Sequence, residues 1–339
     1  MFEDMKFTMC VSPDADLPTC LDWWKEIERL GYDYIGIPDT PMLMREVWVS
    51  LTATVLQTST AGIMLMVTNP ITRDISVTAG AMNSLRDLAG DRVVYGIGAG
   101  DSASFAIGLG MAGAKRMAEY LTGIRALLAG EAISFNGRAL KGAWRDFKSW
   151  RPHLLMAGSG PQALRMAGRI ADAAIVACGM LPENIAQAHA WVAEGAHEAG
   201  RDPDEVEIWH LCLAHCQDDK METFRHYTSL GSLLAHRGNP EGKLIPREHL
   251  PALQEMAKQY SLEAHSRSND AIVEIAERTG VLDFLLQRGG MLGPVDFTDM
   301  VAKYHSWGVR NLMINVGGPD RMGTVRLLAD KVIANRSAA

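Results

Sequence analysis

The chain has 339 residues, 47% of them hydrophobic and 22% charged, enough apolar material for a sizeable core and too much for disorder to be its main state. Lys and Arg number 33 against 40 Asp and Glu, a formal charge of −7, which excludes a general nucleic-acid binder but not a small anion held by local dipoles. Length alone leaves two compact domains or one large α/β barrel.

The first residues, MFEDMKFTMCVSP, lack a basic leader before an apolar run, and no uncharged apolar stretch reaches about 18 residues. Neither a signal peptide nor a membrane span is therefore expected. Five cysteines scattered from Cys10 to Cys216 do not form a secreted disulfide framework, so a cytoplasmic protein is expected.

In chain order, Lys6–Ser12 reads as a strand and Leu17–Leu30 as a helix ending at Gly31, a good C-terminal cap. Tyr34–Pro38 is a second strand, with a helix near Glu46–Thr58. Gly62–Thr68, apolar almost throughout, is a third strand of the fully buried kind. A helix over Ile75–Leu88 leads to strand four, Arg92–Gly98. After a helix near Lys115–Leu128, a hairpin over Ala132–Arg145 turns at Asn136-Gly137. Strand five (Leu154–Ala157), a helix (Pro161–Ile170), strand six (Ala173–Cys178), a helix (Pro182–Ala199) and strand seven (Val206–Cys216) follow. Met221–Tyr304 carries several helices, with breaks at Gly238-Asn239-Pro240 and Gly289-Gly290. Asn311–Val316 is strand eight and Arg321–Ala334 the last helix. Eight strands with intervening helices predict one domain over residues 1–339. It is an α/β protein of the (β/α)8 TIM barrel class, with insertions after strands 4 and 7, and not an open doubly wound sheet.

The exit of strand four reads Gly96-Ile97-Gly98-Ala99-Gly100-Asp101-Ser102-Ala103. Gly98, Gly100 and Ala103 satisfy a dinucleotide pattern formally, but the fourth strand is the wrong context and Glu119 falls in a helix. The segment reads better as bare backbone approaching a flat ligand, with Asp101 and Ser102 at its rim. The plainer alternative is glycine needed only for a tight strand exit. Gly158-Ser159-Gly160-Pro161 follows a strand and opens a helix, where free N–H groups bind anions. This is a phosphate cradle or an ordinary capped turn, and Cys178-Gly179-Met180 would extend it. Asp39 after strand two, and Thr68-Asn69 after strand three, fall on the catalytic rim of a barrel; alone, each is equally well turn chemistry.

Strand seven puts His210, Cys212 and Cys216 on one face by alternation. No paired C-x-x-C or H-E-x-x-H spacing accompanies them, so no metal is expected. His215, near the strand exit, is a candidate polar group for a pocket. Trp23, Trp24 and Trp48 read as core or subunit-contact residues. There is no Gly-x-Ser-x-Gly elbow and no P-loop.

The runs Ile63–Arg73, Asp91–Ala103, Leu121–Arg138, Met156–Leu164, Ala167–Asp172 and Glu194–Pro203, in this order, resemble the bacterial luciferase-like family of flavin- and F420-dependent oxidoreductases. Within it they are most similar to the methylenetetrahydromethanopterin reductase-like branch. The resemblance is continuous over the first two thirds of the chain and weaker after strand seven. It implies a (β/α)8 barrel binding reduced FMN, or alternatively F420, in its mouth. Val67, Thr68 and Asn69 would then lie near the ring, with a non-prolyl cis peptide near Val67–Thr68. Gly98, Gly100, Asp101 and Ser102 would flank the ring or its chain, and Gly158, Ser159, Gly160, Cys178, Gly179 and Met180 would hold the chain and phosphate. Lys115 stands where luciferase has one phosphate arginine; the other, near Ala99, is missing. Thr40 replaces a histidine common among relatives. Asp39 and His215 are then the candidate catalytic groups, and Cys10 and Ser12 the candidate substrate contacts.

The activity implied first is an FMNH2-dependent monooxygenase acting with O2 on a small organic substrate, served by a separate NAD(P)H-dependent flavin reductase. The alternative is F420-dependent hydride transfer. A non-catalytic flavin-binding barrel is a second alternative. The family also implies a homodimer or higher homo-oligomer, built on the helices after strands two and three.

Overall fold

The computed structural model describes residues 2–228, 243–259, 261 and 268–336. Eight parallel strands close on themselves: β1 (Lys6–Cys10), β2 (Tyr34–Ile37), β3 (Gly62–Thr68), β4 (Val93–Ile97), then β7 (Leu154–Gly158), β8 (Ala173–Val176), β9 (Glu207–Cys216) and β11 (Asn311–Val316), which returns to β1. The protein is a (β/α)8 barrel.

Both faces of each strand are covered, which is why the strands read as nearly continuous apolar runs. Residues such as Phe7, Met9, Ile35 and Ile63 face the surrounding helices in one large core. Their neighbours Met64, Val94, Leu155, Ile175, Trp209 and Met313 pack with one another in a separate cluster, the barrel interior. Tyr34 meets Trp209 there edge to face at 5.4 Å. Met64, Met66 and Met313 belong to that interior, so part of the chain's methionine content serves as unbranched filler for an irregular lumen.

The wall helices are α1 (Leu17–Arg29), α2 (Val47–Gln57), α3 (Ile75–Ala89), the short α4 (Asp101–Phe105), α5 (Ala114–Leu128), α6 (Pro161–Ile170), α7 (Pro182–Glu198), α12 (Phe297–Ser306) and α13 (Arg321–Leu328). Acidic residues start several of them: Asp16, Asp74 and Asp296 each accept a first-turn N–H, satisfying donors that a helix leaves open. The hairpin of β5 (Ile133–Phe135) and β6 (Arg138–Leu140) turns on Asn136 and Gly137, both at positive φ, as the turn signal requires. The last helix is shorter than expected. α13 ends at Leu328 and gives way to a π-helical turn, Ala329–Ile333. The expected loop after β4 contains α4.

The segment after β9 builds a satellite core of its own. α8 (Lys220–Arg225), α9 (Leu250–Lys258), α10 (Asp270–Thr279) and α11 (Leu282–Gly289) supply Phe224, Leu253, Ile272 and Leu285, packed with Leu213 of β9. The expected break at Gly289-Gly290 is followed by an unforeseen strand, β10 (Gly290–Gly293). It pairs with Leu213–Cys216 of β9, above the point where β8 stops pairing at His210. Gly238-Asn239-Pro240 lies outside the described residues. Among the described residues no helix is long and apolar enough to cross a membrane.

Candidate active site

The carboxyl ends of the strands bring the sequence candidates together in three groups. The first joins the exits of β2, β3 and β4. Asp39 is buried, and its carboxylate accepts Nε and Nη2 of Arg73 at 2.7 and 2.8 Å and the Thr68 hydroxyl at 2.8 Å. Arg73 also donates to Glu46 at 2.7 Å. Burial opposes the Arg73 charge, but the hydrogen bonds and charges of Asp39 and Glu46 outweigh it and raise its pKa above the ordinary arginine value. Both oxygens of Asp39 are thus engaged within the fold. Thr40 and Ser102 hydroxyls meet at 3.3 Å, which ties the β2 exit to the start of α4.

β3 is irregular here. Its register against β4 shifts between Leu65 and Thr68, and the Met66–Val67 peptide is cis, one residue ahead of the expected position. Val67 packs over β4: a Cβ on Gly98 would overlap Val67 Cγ2, and one on Gly96 would come within 2.8 Å of Val67 Cγ1. Gly96 and Gly98 therefore make room for a neighbouring side chain, a packing role distinct from both the ligand approach and the tight strand exit read from the sequence. Asn69 is fully buried, and its amide is used locally: Oδ1 accepts the N–H of Ile71 and Thr72, and Nδ2 donates to Thr72. Gly100 lies against Asn69. Ala112 N–H donates to Ala99 C=O, tethering the loop to the start of α5. Lys115 stands on that rim with its side chain 91% exposed and its ammonium 4.0 Å from Glu119, apart from the other candidates.

The second group joins β7 and β8. Gly158 accepts the Ala177 N–H, and Ser159 is half-buried at the rim. Gly160 caps α6 without any side-chain hydrogen bond, and Pro161 occupies the first turn, so the early N–H groups of α6 have no side-chain partner. Beside them lie Cys178, Gly179 and Met180. Burial pushes the Cys178 thiol up to about 11, against the opposing pull of Arg288 and Lys243; it is a neutral thiol at physiological pH. Arg288 and Lys243, both buried, are the cations of this group, and sequence reading missed them. The one available signal was an arginine within the largely apolar stretch Phe284–Leu292, just before Gly-Gly.

The third group joins β9, β11 and β1. His215 is buried, with Nε2 2.9 Å from Gln217 Oε1 and Nδ1 without a partner. His226 stands edge-on to it at 5.2 Å. Tyr227 donates to Ala214 C=O and accepts the Gly317 N–H. Cys10 is buried beside β2, and burial pushes its thiol up to about 12 despite the charge of Arg321. Ser12 is half-buried just beyond it. His210 is elsewhere: alternation turns it away from the lumen, toward α7, where its Nε2 lies 3.0 Å from Nε2 of His189. Among the described residues, no three His, Cys, Asp or Glu side chains are grouped to hold a metal ion.

The chain is similar to the 5,10-methylenetetrahydromethanopterin reductase of Methanolobus tindarius, 33% identical over 188 residues, 54% of this chain and 57% of that protein. That match thus spans little more than half of the relative. With the 5,10-methylenetetrahydromethanopterin reductase of Archaeoglobus fulgidus the identity is 25% over 342 residues, 97% of this chain and 99% of that one. The solved coenzyme F420 dependent tetrahydromethanopterin reductase of Methanopyrus kandleri shares the fold, with a TM-score of 0.72 over 98% and 99% of the two chains at 22% identity. Residues 5–311 match the model of the luciferase-like monooxygenase family, and the chain belongs to that family of oxidoreductases.

Proposed function

We propose that this chain is an F420-dependent reductase or dehydrogenase, moving hydride to or from a small organic substrate in the barrel mouth. The observation that carries the reading is the likeness to a methylenetetrahydromethanopterin reductase along 97% of the chain, joined to a shared fold with a reductase described as coenzyme F420 dependent. These relatives favour F420 over the FMN monooxygenase that the motifs alone put first. The family description keeps the FMN reading second; only in that reading is a separate NAD(P)H-dependent flavin reductase a partner.

The residues present fit a phosphate-bearing cofactor of either kind, since the uncapped start of α6 faces buried cations across the β7 and β8 exits. F420, when bound, supplies a hydride donor or acceptor at its ring, which is the cofactor's own chemistry. Gly158, Ser159, Gly160, Cys178, Gly179 and Met180 bind the chain and phosphate in this reading, with Lys115 at the outer rim. Val67, Thr68, Asn69, Gly98, Gly100, Asp101 and Ser102 wall the ring. Asp39 acts by fixing Thr68, because its oxygens are already engaged. His215, with a buried and unpartnered Nδ1, is the group able to hold or pass a proton. Cys10 and Ser12 line the substrate side, the first as a neutral thiol.

Titrating the protein with F420 and with FMN, followed by absorbance and fluorescence, tests the reading. Tight F420 binding and weak FMN binding are expected. FMN binding together with O2 consumption in the presence of a flavin reductase would overturn it in favour of the monooxygenase. Binding without hydride transfer to any carbonyl, imine or alkene acceptor would point to the non-catalytic barrel.

The proposal extends to a homodimer through α2 and α3, which expose Val49, Leu56, Val77 and Leu88 at 51–65% of their surface. Exposed apolar side chains on two adjacent helices fit a second copy of the chain better than water. Trp48, read from the sequence as a core or subunit-contact residue, packs against the core and meets Tyr95 at 6.5 Å.

A further inference from the structure

Arg288 is 2% exposed, and its guanidinium lies against the backbone of Gly179. A Cβ on Gly179, whose φ is +113°, would fall 2.8 Å from Arg288 Cγ and 3.2 Å from Nη1. The two segments are also tied by the Met180 N–H donating to Arg288 C=O at 2.9 Å. Yet the charge itself is poorly met. Nη1 makes one long hydrogen bond, 3.4 Å to Lys243 C=O, and Nε has no partner. Among the described residues, no carboxylate is within salt-bridge distance of it; Glu183 acts on it only at long range.

Lys243 adds a second positive charge. It is 8% exposed, and its Cε lies 4.0 Å from where a Cβ on Gly160 would stand. Burial lowers the pKa of both cations, and for Lys243 the charge of Arg288 lowers it further. Two desolvated cations, one against Gly179 and one near Gly160, beside a ten-residue helix whose N-cap offers no side-chain hydrogen bond, create local positive potential at the exits of β7 and β8. A buried guanidinium with no anion beside it among the described residues is an unfavourable arrangement. An anion arriving from outside would meet that charge.

We propose that Arg288, with Lys243 and the amino end of α6, binds a phosphate-class oxyanion at the exits of β7 and β8. This rests on the reading of the barrel mouth as a cofactor and substrate site, and it adds a cation that the glycine-rich segments do not contain. The oxyanion is either the cofactor's phosphate or an anionic group of the substrate; the recognition chemistry is the same.

The probe is inorganic phosphate, read by thermal shift and calorimetry on the full chain without cofactor, in the native protein and in Arg288→Met and Arg288→Lys. Phosphate should raise the native Tm in a saturable way. R288M should lose that shift, binding phosphate about tenfold or more weakly, and R288K should keep part of it. In phosphate-free buffer R288M should melt no lower than the native protein, because it removes an uncompensated charge. A lower Tm for R288M in that buffer, together with an unchanged phosphate shift, would assign Arg288 a structural role and overturn the proposal. So would phosphate shifts of equal size, or none, in native protein and R288K.

The source is resolved by comparing FMN with riboflavin and F420 with its phosphate-free deazaflavin. Loss confined to the phosphorylated forms in R288M assigns the site to the cofactor. Unchanged cofactor affinity, with phosphate still protecting the cofactor-loaded native protein, assigns it to the substrate. Failure of the native protein to bind F420 or FMN would sink the functional reading and leave the phosphate shift as an independent result.

Discussion

Arg73 closes on Asp39 with a two-armed grip, Nε to Oδ2 at 2.7 Å and Nη2 to Oδ1 at 2.8 Å, and Thr68 donates to the same Oδ2. The carboxylate side chain is 1% exposed and the guanidinium 13%. Removing one member leaves the other charge buried, so Arg73→Met should cost about 3–5 kcal/mol in urea unfolding. The double variant R73M/D39L should recover part of that loss, because both charges go together. An R73M cost below about 1 kcal/mol would mean that the clamp does not hold this corner.

Gly98 and Val67 make a size-exchange pair. G98A forces a methyl into Val67 Cγ2 and should destabilise by about 1–3 kcal/mol, the usual cost of overpacking. V67A/G98A should be more stable than G98A alone. Strict additivity of the two substitutions would show that the glycine is needed for something other than this contact.

His189 and His210 set an acid limit on stability. Burial lowers both pKa values, with His210 taken from 6.5 to about 3 and His189 adding to the shift. The unfolded chain therefore binds more protons than the fold between those values. Stability is complete above pH 6.5 and falls on acidification, by about 1.4 kcal/mol per pH unit for each histidine that stays neutral in the fold. H210L should flatten the decline between about pH 6.5 and 5, a window above the carboxylate range. An unchanged slope would remove the pair as its cause.

Thiol reactivity discriminates the mouth from the surface. Of the five cysteines, four are buried and Cys216 is exposed. Native protein should give one fast equivalent with a thiol reagent at pH 8, and Cys216→Ser should abolish it. Cys10, at about 12, should react only on unfolding. Fast modification of Cys10 in the native state would show a thiolate poised in the mouth.

Ser159→Ala tests the cradle at the β7 exit. A lost hydroxyl-to-phosphate hydrogen bond is worth about 1.5–3 kcal/mol, so F420 should bind roughly ten- to hundredfold more weakly. Binding of the phosphate-free deazaflavin should be unchanged. Equal losses for both ligands would place Ser159 against the ring and not the phosphate.

Period and punctuation carry far in this chain. Gly62–Thr68, Asn311–Val316 and Pro161–Ile170 were legible residue for residue, because an apolar run bounded by turn residues, or a proline at a helix start, leaves few alternatives. β10 was not legible: Gly-Met-Leu-Gly is too short for alternation, and its glycines read as a break. Its existence depends on a vacant edge of β9, a tertiary fact. The same limit hid Arg288, which meets Gly179 only after the intervening insertion has folded back. Gly98 shows a different limit. Its flexibility was visible, but the Val67 side chain that it accommodates comes from another strand.

β10 has one more consequence. The insertion leaves the wall at Cys216 and re-enters along the same strand, with Gly290 opposite Leu213 and Gly293 opposite Cys216. Its two ends are thus stapled within one strand spacing, about 4.8 Å, whatever lies between them. Closing such a loop becomes only slowly harder with length, about 0.6 kcal/mol per doubling. Away from Tyr227, Lys243 and Arg288, which reach back to the barrel rim, the excursion can therefore change length at little entropic cost while the scaffold beneath it stays shut.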